Sequence, residues 1–192
     1  KLPPDDASHG YERGIQVDST WDEAITFAAL EASTYAGKRM DRLARTNDKD
    51  EKRRQKIITF SEEFVRYAFR EKLTTEELNK YVHSKFSDST PLHTSVEKIV
   101  LTALKSPRFL YPEWQALAKK EKDSYVVASR LALYFWDSVP GKRMHSLIDR
   151  DQLLKKWQVE NQAKMMLRDS RSNAKFNDFM KQWLDMKNKE LP

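Results

Sequence analysis

Four histidines, His9, His83, His93 and His145, are the side chains of this sequence best suited to proton transfer or metal ligation. None has a second histidine three or four residues on, and none lies in an H-E-x-x-H pattern. Local metal-ligand spacing is therefore absent, and each histidine is expected as a surface or hydrogen-bonded residue. Asp5, Asp6, His9 and Glu12 crowd an early turn and offer oxygen and imidazole to a divalent ion. Their spacing fits no EF-hand loop, so solvated turn residues are the default expectation. Ser84 stands beside His83, but no G-x-S-x-G elbow supports a nucleophile. Met165 and Met166 could present a thioether to haem iron, although their helical spacing favours core packing. On this reading the catalytic residues are unknown, and no residue is assigned to a cofactor or a metal.

Composition narrows the chemistry further. The 192 residues contain no cysteine, which excludes disulfides, thiol catalysis, iron–sulfur ligation and covalent haem attachment within them. Four glycines leave no Gly-rich phosphate cradle, and a charged fraction of 33% favours helices. Thirty-five basic residues against 29 acidic ones give a net charge of +6, spread along the chain rather than gathered. A solvated surface is the expectation, and nucleic acid is not an expected partner. No apolar run reaches the roughly 20 residues that span a bilayer. Lys1 in place of methionine reads as a processed end or a fragment edge, so targeting is not legible.

The elements that would position these residues are helices. Residues 1–18 have Pro3, Pro4, Gly10 and Gly14 and no periodicity, and are expected as an extended arm. Thr20 with Glu23 forms a capping box ahead of Trp21, Ile25, Ala28, Ala29, Ala32, Ala36 and Met40 at helical spacing. Residues 45–55 are polar and end in Lys52, Arg53 and Arg54, which reads as a solvated loop and first helical turn. Ile57, Phe60, Phe64, Ala68 and Phe69 stripe a second helix. Thr74 and Glu77 cap a short third one carrying Leu78, Tyr81, Val82 and Phe86 inward. Pro91 opens a helix with Val96, Ile99, Val100, Ala103 and Leu104, and Pro107 stops it. Residues 108–112 are expected as a buried connector.

Asp123 or Ser124 caps the next helix, with Val127, Leu131, Tyr134 and Phe135, closed by Pro140 and Gly141. A short helix with Met144, Leu147 and Ile148 follows. Another starts near Asp151 and carries Leu154, Trp157, Met165 and Met166. The last, from about Ser170, has Phe176, Phe179, Met180, Trp183 and Leu184 at i, i+3, i+4 spacing. Trp136, Trp157 and Trp183 are expected to fill the core, and Trp183→Ala to destabilise the fold by about 3–5 kcal/mol. No stretch alternates with period two. The expected architecture is all-α, an irregular bundle of about eight helices with an extended N-terminal arm. The expected organisation is 1–50 as arm and first helix ending a preceding domain, 51–90 as a small helical domain, and 91–192 as a helical domain truncated at its C-terminal end.

Three stretches carry a family resemblance. Ala68-Phe69-Arg70-Glu71-Lys72-Leu73-Thr74-Thr75-Glu76-Glu77 is similar to A-F-R-R-P-L-T-x-E-E, departing at Glu71 and Lys72. Ser106-Pro107-Arg108-Phe109-Leu110-Tyr111, then Ala128-Ser129-Arg130-Leu131 with Trp136, Ser138 and Pro140, resemble S-P-R-F-L-Y and A-S-R-L-x-x-x-x-W-x-S-x-P, with Pro112 in place of an arginine. Met166-Leu167, Asp169, Arg171, Phe176, Phe179 and Gln182-Trp183-Leu184 resemble M-L-x-D-x-R-x-x-x-F-x-x-F-x-x-Q-W-L. Together they look like adjoining helical domains of unknown function from large exported proteins of Planctomycetes and Verrucomicrobia, often fused to c-type cytochrome domains. The resemblance implies a periplasmic or cell-surface setting in a redox protein acting on carbohydrate. It implies no cofactor within this chain, haem c in a neighbouring domain or partner, and other domains or chains of a larger protein as partners. The alternative is a non-catalytic structural or interaction module of a large surface assembly. The resemblance carries over no catalytic residue. Arg70, Arg108 and Arg130 are expected to cap helix carbonyls or to pair with Glu113 or Asp169.

Overall fold

The computed structural model describes residues 18–111, 123–184 and 186, and the chain divides into two compact units, Ile25–Glu121 and Lys122–Pro192 together with Lys1–Ala24. The described residues are α-helical, with one 3-10 turn and no strand, as the missing period-two pattern predicts. Ten α-helices are present among them rather than about eight. Except for Asp18, the expected arm lies outside the described residues.

In the unit Ile25–Glu121 the order is α1 (Ser19–Lys38, which begins in the other unit's span), α2 (Met40–Leu43), α3 (Arg53–Phe69), α4 (Thr75–Tyr81), the 3-10 turn His83–Lys85, α5 (Leu92–Leu104) and α6 (Pro107–Leu110). Asp18, not Thr20, starts α1. Its carboxylate accepts the Trp21 N–H at 2.8 Å and its carbonyl accepts the Asp22 N–H at 3.0 Å. The Thr74–Glu77 capping box forms as expected, with N–H···O distances of 2.8 and 3.2 Å. Pro107 does not end the helical run outright. It sits at the first position of α6 behind a Ser106 cap, so the expected connector is a one-turn helix.

Helix α3 lies along α5, and two apolar patches join them. Ala36, Met40, Ile57, Val96 and Val100 form one patch, and Val65, Phe69, Leu73, Val82, Ile99 and Ala103 the heart of the other. Each fully buried aliphatic or aromatic side chain here stabilises by roughly 1.5–3 kcal/mol. Gly37 marks a close approach: a Cβ there would fall 2.5 Å from the Glu97 side chain. The basic run before α3 is met by carboxylates. Arg53 forks onto Asp41 at 2.8 and 2.9 Å and reaches Asp48 at 3.0 Å, and Lys56 holds Asp50 at 2.6 Å.

In the other unit, α7 (Ser124–Trp136) is flanked by α8 (Lys142–Ile148), α9 (Lys156–Met166) and α10 (Ser170–Trp183). Asp123 caps α7 through the Tyr125 N–H at 2.8 Å. The core is Tyr125, Ala128, Ala132, Met144, Ile148, Leu153 and Met166. Helix α9 starts at Lys156 rather than near Asp151, because Asp151 adopts a left-handed conformation (φ 52°) that breaks the helix. With so few glycines, Arg45, Arg70 and Asp137 take the same left-handed role at other helix ends.

Candidate functional site

The motif residues of the first unit converge on two arginines. Arg70, left-handed at the end of α3, donates Nη1–H to the Phe109 carbonyl at 3.1 Å and to the Ala68 carbonyl at 3.3 Å. This is the carbonyl-capping role expected for it. Arg108 lies over the Phe69 ring at 4.8 Å, contacts Glu71, and pairs with Glu77 at 2.8 Å. Glu77 thus serves both the α4 cap and Arg108. Burial pushes both guanidiniums down from their ordinary value, yet they stay cationic. The first motif and S-P-R-F-L-Y therefore form one structural network joining α3, α4 and α6.

The remaining motif residues build a second network in the other unit. Arg171 stacks on the Trp136 ring at 3.6 Å and forks onto Asp169 at 2.9 and 2.8 Å. Asp169 also caps α10 by accepting the Arg171 N–H at 3.0 Å. The Met166 carbonyl closes the cluster, accepting from Ser172 Oγ at 2.7 Å and Trp136 Nε1 at 3.4 Å. The Arg171 side chain, and then its backbone N–H, hold the Asp169 carboxyl at about 2 against an ordinary 3.8. A depressed carboxyl stabilises the fold above its ordinary pKa, and that contribution fades as pH falls through the folded value. The stabilisation from the α10 cap is therefore fully present at about pH 5 and fades between about pH 4 and 2, while the carboxyl in the folded chain titrates only near 2. An NMR titration of the Asp169 carboxyl carbon beside the Arg171 Nε–H checks this. Asp169→Asn should abolish the acid transition of the Arg171 signal, and a transition that persists in that variant would refute the assignment.

The sequence candidates for chemistry are not brought together. His9, Asp5, Asp6 and Glu12 lie outside the described residues. His83 faces Glu62 at 3.2 Å, His93 is exposed on α5, and His145 is buried with Nε2 2.9 Å from the Pro140 carbonyl. The Ser84 hydroxyl donates to the Lys80 carbonyl rather than to His83. Among the described residues no group of three or more His, Asp or Glu is placed to hold a metal ion, and no helix is long and apolar enough to cross a membrane. Met166 is core, and the Met165 thioether accepts from Arg143 at 3.5 Å.

Two surface features of this second unit remain, and the first borders the Trp136, Asp169 and Arg171 network. The first is a groove between α8 and α9 with two lobes of about 230 and 280 Å³ that share Arg143, Gln162 and Met165. Trp157 lines it and is 59% exposed, so the expectation that this ring fills the core is corrected. The second is the apolar stripe of α10. Phe176, Phe179 and Trp183 are 61%, 54% and 66% exposed, and Leu184 and Tyr134 are exposed with them. Here too the expected core is a surface. Phe179 and Trp183 stack nearly parallel, with centroids 6.3 Å apart. Periodicity signalled that one face of α10 is apolar, but nothing in the sequence says whether that face is covered.

Residues 123–191, which include this whole second set of helices, match the family model PSD4, described as a protein of unknown function (DUF1592). No curated protein and no solved structure matches the chain.

Proposed function

We propose that this chain is a helical interaction module of a larger, exported, cytochrome-c-associated redox protein acting on carbohydrate, and that it docks through the apolar face of α10. In this reading the electrons move elsewhere, in a domain or partner carrying haem c, because these residues hold no thiol for its attachment. The observation that carries the reading is the exposed row Phe176, Phe179, Trp183 and Leu184, within the stretch that matches the DUF1592 family. Large aromatic side chains left in water forgo roughly 1.5–3 kcal/mol each, and contacts of this composition anchor protein interfaces. The motif resemblance supports the exported setting and the cytochrome neighbour. The aromatic character of the face suits a lasting contact better than a brief redox encounter. That favours, as the second reading, a purely structural module of a periplasmic or surface assembly.

Trp183→Ala and Phe179→Asp test the docking. Because both side chains are exposed, the unfolding free energy of the isolated chain should change by no more than about 0.5 kcal/mol. Binding to a c-type cytochrome domain added in trans should weaken by about 2 kcal/mol or more, measured by calorimetry. Unchanged binding, or a loss of chain stability on the scale of a core truncation, would remove the docking reading. A haem-free partner held on the same face would select the structural alternative.

A further inference from the structure

We infer that the groove between α8 and α9 is a glycan subsite that takes an acidic pyranose, with Trp157 as its stacking platform and Arg143 as its anion partner. The inference deepens the carbohydrate part of the reading above and is independent of the α10 face. Its first support is Gln162, which is 7% exposed, lines both lobes, and has a side-chain carboxamide with no hydrogen-bond partner among the described residues. The carboxamide opens into the groove and offers a polar ligand there two donors and an acceptor.

The surroundings say what kind of ligand. Gln152 and Asn161 add two further carboxamides beside the exposed Trp157 ring. An amide sets donor and acceptor side by side, which matches vicinal hydroxyls that both donate and accept. An exposed indole offers an apolar face with a polar edge, the complement of the C–H face of a sugar ring. Gln158 is not free for this task, since its oxygen accepts the Lys155 N–H at 3.0 Å. Arg143 sits where the lobes meet, and its bond is to the Met165 thioether, a weak acceptor. No carboxylate among the described residues pairs with Arg143, whereas Arg171 at the far edge is already taken by Asp169. An incoming carboxylate would therefore find a planar, uncommitted guanidinium. A nucleotide would need a denser phosphate cradle, and the apolar lining of Leu147, Trp157 and Met165 gives the C–H face of a sugar ring its contact. Each lobe is a little below the roughly 300 Å³ at which small-molecule sites begin, which suits one ring of a longer chain in each.

Calorimetric titration of the full chain with tetragalacturonate, and separately with neutral cellotetraose, tests the inference. Saturable binding with a preference for tetragalacturonate is expected. Trp157→Ala should weaken it about tenfold with the far-UV spectrum unchanged, since the ring is exposed. Arg143→Gln should erase the preference for the acidic oligosaccharide. Phe27→Ser removes another exposed aromatic, in the other unit, and should bind as the unaltered chain does. No saturable binding to either oligosaccharide, equal binding of both by the unaltered chain, or an equal loss in Phe27→Ser would overturn the assignment. Retention of the cytochrome domain in the same samples reports on α10 separately. A chain that docks without binding glycan fails this inference alone, and the reverse fails the docking reading alone.

Discussion

Replacing Arg108 with methionine is expected to destabilise the fold by about 3 kcal/mol, far more than its place on a one-turn helix suggests. Its guanidinium lies over Phe69 and Tyr81, at 4.8 and 5.9 Å, and reaches Glu71 in the turn after α3 and Glu77 on α4. Glu71 is 8% exposed, so removing the cation takes a close positive partner from a buried carboxylate. The cost comes from that poorly compensated charge more than from the lost attraction, because an ion pair taken as a whole roughly balances its own desolvation. The double variant R108M/E71Q should therefore recover a substantial part of the loss, although Arg108 and Glu71 are each involved in the pair. Lys156→Ala is the contrast. Its pair with Glu160 at 3.8 Å lies on the surface and should matter by less than about 0.5 kcal/mol. Chemical denaturation of the four chains gives the comparison. If R108M and Lys156→Ala prove equal, the network is decorative.

What the sequence made legible was either local or periodic. The Thr74–Glu77 box is legible because its partners lie three residues apart, and Ile57, Val96, Ile99 and Val100 because a buried helix face repeats every 3.6 residues. The start of α1 slipped by two residues because Asp18 and Thr20 both present a capping oxygen, and only the three-dimensional path of the chain chooses between them. Arg70 caps carbonyls as expected, but Arg108 pairs with Glu71 and Glu77 rather than with Glu113 or Asp169, partners that depend on how α6 returns to α3 and α4. Helix α10 shows the limit most clearly. Amphipathicity says that a face is apolar, and coverage depends on what else is packed there. The groove left a faint trace in the spacing of Trp157, Gln158, Asn161 and Gln162, which recur at three and four residues. The burial of Gln162 gives that trace its meaning, and burial is a property of the assembled unit.

A one-residue difference in the second unit provides the other large effect. The periodic reading put Leu154 on the inner face of a helix beginning near Asp151, but the helix begins at Lys156 and the preceding turn follows a different geometry. With Asp151 left-handed, the chain turns Leu153 inward to 0% exposure, while Leu154 stays 38% exposed. Leu153 packs in the cluster of Tyr125, Ala128, Met144, Ile148 and Met166, drawn from α7, α8 and α9. It is the one residue of the α8–α9 loop in that cluster, so nothing adjacent in sequence can collapse into the space it would leave. Leu153→Ala is expected to cost about 2–5 kcal/mol, toward the upper end because the neighbouring alanines, Ala128 and Ala132, have no spare volume with which to fill a void. Leu154→Ala should cost less, about 1–2 kcal/mol, since more than a third of its surface already faces water. Urea denaturation of the two variants, compared at matched m-values, decides between the geometries. A larger loss in Leu154→Ala would mean that the turn runs as the periodic pattern suggested. The stated order would fix Leu153 as the residue that ties the groove-bearing pair of helices, α8 and α9, to α7.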